Sequence, residues 1–159
     1  MDKVLPAIVI VVVVAVILSL MVLSWRRRGR AQAYLPELAA VPADTGEVIG
    51  SFDGLYLATT PSGEPLNRIA VRGLGFRQRG KLVVTAGGFI LLDDRFIPLA
   101  DVTGVSRASW TIDRGVEPDG LSVISWTLGG TSLDSYFRLD DPEGFIEAAS
   151  SIIQQTGQK

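Results

Sequence analysis

The chain of 159 residues contains no cysteine and no histidine. Without cysteine there is no disulfide, no thiolate nucleophile and no cysteine-based zinc site. Without histidine the commonest general base and the commonest transition-metal ligand are missing as well. A Ser-His-Asp hydrolase is therefore excluded, even though Ser106, Ser109, Ser122 and Ser125 are present. Basic residues are sparse beyond the first thirty: residues 31–159 carry ten Lys/Arg against sixteen Asp/Glu, a net of −6. Nucleic-acid binding needs a basic face, so nucleic acid is not an expected partner. Long hydrophobic runs are also lacking, with one exception.

That exception is Val4 to Leu23, twenty consecutive apolar or near-apolar residues without a charge. As a helix this length spans roughly 30 Å, the thickness of a bilayer hydrocarbon core. Val and Ile are mediocre helix formers in water, but in lipid the backbone must bond to itself, which leaves a lone segment only the helix. Pro6 falls in the first turn, where its missing N–H costs little. Ala15-x-x-x-Ser19 matches a small-xxx-small packing pattern, so helix pairing and homo-oligomerisation stay open. The flanks set the expected direction. Lys3 alone precedes the run, whereas Trp25, Arg26, Arg27, Arg28 and Arg30 follow it as a membrane-interface group. Basic residues stay on the cytoplasmic side, so the expectation is a cell-membrane protein with its N-terminus outside and its bulk in the cytoplasm. A cleaved signal peptide is the alternative. It would have a basic start, a shorter apolar run and a small-residue cleavage site before polar sequence.

Residues 1–25 thus read as an anchor and 26–43 as a basic juxtamembrane segment and linker. Residues 44–156 read as one domain and 157–159 as a tail. The part of the linker with Pro36 and Pro42, residues 31–43, reaches about 45 Å if fully extended. From Asp44 onward short apolar runs are punctuated by Gly, Asp and Pro, the texture of a mainly-β unit. Strands are expected at 47–52, 55–60, 68–73, 81–85, 89–92, 95–97, 105–112, 121–128 and 133–139. Asp53-Gly54 and Gly129-Gly130 are expected hairpin turns. Asp141-Pro142 reads as a helix cap followed by proline at the first helical position. Phe145, Ile146, Ala149, Ile152 and Ile153 then form one apolar stripe, with Gly157 as the stop. The expected architecture is a small β-barrel of two antiparallel sheets, capped by this C-terminal helix.

The stretch Lys81-Leu-Val-Val-Thr85, Gly88-Phe-Ile-Leu-Leu92 and Phe96-Ile-Pro-Leu-Ala-Asp-Val102, followed by Val105, resembles the middle of bacterial PH-like domains. The helix after Phe137-Arg138-Leu139 fits the same pattern. With its anchor, the chain resembles actinobacterial membrane-anchored PH-like proteins, which often carry labels such as membrane, export or transport protein. The resemblance implies a non-enzymatic interaction domain held at the membrane, with the lipid bilayer and a protein as partners. It also leaves open an accessory subunit of a transport or export system.

Arg68, Arg72, Arg77, Arg79 and Lys81 form the one basic cluster of the domain. Arg68 and Arg72 would share a strand face, and Arg77-x-Arg79-x-Lys81 would surround a turn at Gly80. That turn is similar to the basic turn with which some eukaryotic PH domains hold phosphoinositides. The cluster is either a solvated face or a contact for anionic lipid or an acidic partner. Asp93-Asp94 and Asp140-Asp141 are paired carboxylates, but neighbours on a strand point to opposite faces and do not converge. They read as a turn and a helix cap. Gly73-Leu-Gly75 and Ala86-Gly87-Gly88 precede no helix and no Gly-Lys-Ser/Thr, so they read as turns. Trp110, Trp126, Tyr136 and Phe137 are expected to fill the barrel. No catalytic, cofactor-binding or metal-ligating set is expected.

Overall fold

A computed structural model describes residues 4–32, 34–109 and 120–156. The chain divides into two compact units, residues 1–34 and 35–159.

The first unit is a single helix, α1 (Val4–Ala31). Its stretch Pro6–Ser24 is long and apolar enough to cross a membrane, and none of it is buried. The hydroxyl of Ser19 donates to the carbonyl of Ala15 one turn back (2.7 Å), so the polar side chain inside this apolar stretch is satisfied within its own helix.

The second unit is mainly β. Its strands are β1 (Val48–Pro61), β2 (Gln78–Thr85), β3 (Gly88–Leu91), β4 (Arg95–Pro98), β5 (Val102–Ala108), β6 (Leu121–Leu128) and β7 (Thr131–Leu139), followed by helix α2 (Pro142–Thr156). All pairings are antiparallel, and the strands make one seven-stranded sheet in the order β4-β3-β2-β1-β7-β6-β5. The two expected sheets are thus one hydrogen-bonded sheet, and β4 and β5 do not pair to close it. The cause is β1. Its first half, from Val48 to Tyr56, pairs with β2, and its second half, from Gly54 to Pro61, pairs with β7. One strand of 14 residues therefore serves both halves of the domain.

The sheet curls around α2, which packs against β1, β2, β5 and β6. In a flat sheet β2 and β5 would lie about 19 Å apart at the usual strand spacing, too far for one helix about 10 Å wide to touch both. The enclosed core runs continuously from Phe89 and Ile97 on β3 and β4 to Ile124 and Trp126 on β6, with Phe145, Ala149 and Ile152 of α2 in its middle. Trp126 and Phe137 fill this core as expected. Tyr136 lies on the opposite sheet face, in a smaller cluster with Leu57, Leu121 and Val123. Trp110, the end of the expected strand 105–112 and the stop at Gly157 lie outside the described residues.

Three local expectations are corrected. Asp53-Gly54 is not a turn but the middle of β1, where Gly54 pairs with Gly80 on one side and Leu139 on the other. Glycine is needed there for space: a Cβ on Gly54 would stand 2.8 Å from the Cα of Leu139. Gly54→Ala is accordingly expected to cost about 1–3 kcal/mol by overpacking, read as a lowered denaturation midpoint; an unchanged midpoint would mean the strands do not approach so closely. Gly80 likewise lies inside β2 rather than in a turn, with the Leu92 side chain where its Cβ would be, at 2.7 Å. Finally, residues 68–73 are not a strand. The segment between β1 and β2 plugs the core with Ile69 and Leu74, both about 1% exposed or less. The positive φ of Arg72 and Gly73 turns the chain between them. Of the apolar residues that alternate with charge in this segment, Ile69 and Val71, only Ile69 is a plug residue; Leu74 is the other.

Other signals hold. Gly129 and Gly130, both at positive φ, close the β6–β7 hairpin. The Asp141 carboxylate accepts from the Gly144 N–H at 3.0 Å, capping α2. The stretch expected to be linker is drawn into the domain from Leu35, which is fully buried; Ala39 bridges to Phe96 beside the outer edge of β4.

Candidate functional site

The five basic residues singled out in the sequence do not act as one cluster. Arg72 turns back onto its own domain: its Nε donates to the carbonyl of Leu35 (3.2 Å) and its Nη1 pairs with Glu37 at 3.0 Å. Arg68 is half-buried and donates to the carbonyl of Gly75 at 3.4 Å. Both pin the plug segment and its approach. Arg77 is exposed just before β2. Arg79 and Lys81, two residues apart on β2, share the face away from the buried Leu82 and Val84.

Cross-strand register brings a further cation to this face. Leu55 of β1 lies opposite Arg79 on one side and Arg138 of β7 on the other. The row Arg79–Leu55–Arg138 thus spans three strands, with its two arginine Cα atoms roughly 10 Å apart at normal strand spacing. Between them opens a pocket of about 350 Å³ lined by Gly54, Leu55, Arg79, Arg138, Leu139 and Asp140. Asp53, opposite Lys81, lies in the neighbouring row. Among the described residues, neither Arg79 nor Arg138 forms an ion pair or a side-chain hydrogen bond. Arg138 is far from the other basic residues in the sequence and belongs to no local basic group. The signal that finds it is the register, through Leu55.

The Asp93-Asp94 pair takes a structural place. Asp93 follows Leu92 at positive φ in the β3–β4 turn, and Asp94 pairs with Arg95 at 3.4 Å. Gly73 and the residues 86–87 lie in turns, without a helix after them. Of the interface group, Arg26 and Arg27 are exposed on α1; the side chains of Trp25, Arg28 and Arg30 lie outside what is described.

The two ends of the sheet differ. The outer side of β4 receives the Ala39 bridge, with the Phe96 N–H donating to the Ala39 carbonyl at 3.0 Å. Beyond β5 no strand pairs among the described residues. Thr103, Ser106 and Arg107 of this edge strand are exposed, and Arg107 reaches Glu143 of α2 at 3.7 Å.

The profile of the bacterial PH domain-like family matches residues 35–152. The match begins at Leu35, where the compact unit begins, and ends inside α2. The chain belongs to this family. No curated protein matches it.

Proposed function

We propose that this bacterial PH domain-like protein is a non-catalytic, single-pass membrane protein. Its domain lies on the cytoplasmic side and takes up a segment of a protein partner along β5. The edge of β5, with which no strand pairs among the described residues, carries this reading, because such an edge presents a row of backbone donors and acceptors that an extended peptide satisfies as an added strand. The apolar stretch Pro6–Ser24, with no protein surface covering it, supports the anchor. The arginines that follow support the orientation.

The topology is tested with paired reporters on the C-terminus of the full chain. A cytoplasmic C-terminus makes a fluorescent fusion bright and a phosphatase fusion inactive. An active phosphatase, or a mature protein that starts after residue 25, ends the reading in favour of export. The edge is tested in membranes with a photo-crosslinking residue at Ser106 on β5 or at Ser51 in the middle of the sheet. A protein adduct is expected from Ser106 and none from Ser51. Equal yields from both positions would remove β5 as the docking edge, while a transporter captured at Ser106 would make the chain an accessory subunit.

A further inference from the structure

We infer that the pocket between Arg79 and Arg138 binds a phosphate ester whose polar substituent carries a hydroxyl or ammonium group, independently of any protein docked on β5. The argument starts from charge. Two guanidinium groups flank the pocket from β2 and β7, and neither has a partner within the described protein. Arginine is the side chain that binds a phosphate through two parallel hydrogen bonds, and a site that approaches the anion from two sides uses both forks. The separation of about two strand spacings leaves room for one phosphate group between the side chains.

The rest of the lining narrows the ligand. Gly54, from the adjoining row, contributes only backbone to the lining. Leu55 provides an apolar floor beneath the anion. Asp140 adds a carboxylate at the pocket wall. A carboxylate repels a bare phosphate but accepts from a hydroxyl or an ammonium group. The combination therefore suits an ester such as phosphoglycerol or phosphoethanolamine better than inorganic phosphate. Lys81, one row away, adds positive potential without lining the pocket. A phospholipid headgroup and a soluble phosphate ester share this chemistry.

The test uses the full chain in nanodiscs and follows arginine modification by phenylglyoxal, residue by residue, with mass spectrometry. In one arm the discs are pure phosphatidylcholine and sn-glycerol 3-phosphate is added at millimolar concentration. In the other arm the discs contain phosphatidylglycerol and no ester is added. Modification of Arg79 and Arg138 is expected to slow several-fold in at least one arm, with Arg107 on β5 unchanged. Protection by phosphatidylglycerol alone identifies the headgroup as the source, and protection by the ester alone identifies a soluble ligand. In Arg138→Gln, Arg79 should lose its protection, and in Arg79→Gln, Arg138 should lose it; near-UV circular dichroism shows whether each variant keeps its fold. The proposal is overturned if neither arm protects. It is equally overturned if Arg107 is protected to the same degree, or if Arg79 stays protected in a folded Arg138→Gln protein.

Discussion

Phe145→Ala is expected to destabilise the domain by about 3–5 kcal/mol, the range for removing a fully buried aromatic side chain. Phe145 is 0% exposed at the centre of the core. Its ring meets Phe52 of β1 edge-on, with centroids 5.7 Å apart, and Phe89 of β3 at 6.1 Å. It therefore joins α2 to both sides of β2. A loss of this size is a large part of the stability of an ordinary domain and should lower the melting temperature by about 10 °C or more. Thermal unfolding of the full chain in non-ionic micelles, followed by near-UV circular dichroism, reads the effect. A midpoint within a degree or two of the unaltered protein would mean that α2 is not docked through this residue.

Tyr56→Phe should cost roughly 2–4 kcal/mol although it removes one oxygen, because that oxygen ends a buried relay whose direction is determined. Trp126 can only donate, and its Nε1–H goes to Ser135 Oγ at 2.9 Å. At the other end, the Tyr56 hydroxyl donates to the carbonyl of Leu74 at 2.7 Å. The contacts between them, Ser135 to Thr59 at 2.7 Å and Thr59 to Tyr56 at 2.8 Å, must then run as donations from Ser135 to Thr59 and from Thr59 to Tyr56. Without the phenol, the Leu74 carbonyl loses its donor and the Thr59 hydroxyl loses its acceptor, although Ser135 still donates to Thr59, while the ring keeps its contact with Phe137. The plug segment should loosen, with faster hydrogen exchange around Leu74.

The same residue gives an alkaline signature. Burial pushes the Tyr56 phenol well above its ordinary value of 10.0, and burial also raises that of Tyr136. An acid whose folded pKa is raised binds its proton more tightly in the native state. Its contribution is complete below about pH 10 and is lost as pH climbs from there toward the folded value. Denaturation midpoints should therefore fall as pH rises above about 10, and fall less steeply in Tyr56→Phe, which lacks the more deeply buried of the two phenols. Identical slopes in the two proteins would place Tyr56 outside the core.

How much was legible before the structure follows the range of each signal. The apolar run that became α1, the Asp141-Pro142 start and apolar stripe of α2, and the Gly129-Gly130 hairpin are written within a few consecutive residues. Helix periodicity and turn dihedrals are local physics, so local sequence suffices for them. Asp53-Gly54 carries the same local turn signal, yet it became the strand interior. A glycine chosen for positive φ and one chosen for close approach look alike until the neighbours are known. The segment 68–73 failed for a related reason: Ile69 and Val71 between charged residues fit a strand face, and only the enclosed core shows that Ile69 and Leu74 serve as a plug.

The sequence by itself thus determined the exclusions and the local elements. It ruled out thiol, histidine and disulfide chemistry, marked one apolar helix with arginines behind it, and specified a mainly-β domain ending in an amphipathic helix. The tertiary structure alone decided that β1 serves both halves of a single sheet, that Arg68 and Arg72 bond to their own domain, and that no strand pairs beyond β5 among the described residues. It alone also brought Arg138 within reach of Arg79. These two residues are far apart in the chain and meet through the register of β2, β1 and β7. A slip of one residue in any of those pairings would send one of the side chains to the other face, so no reading of neighbouring residues determines the pocket they form.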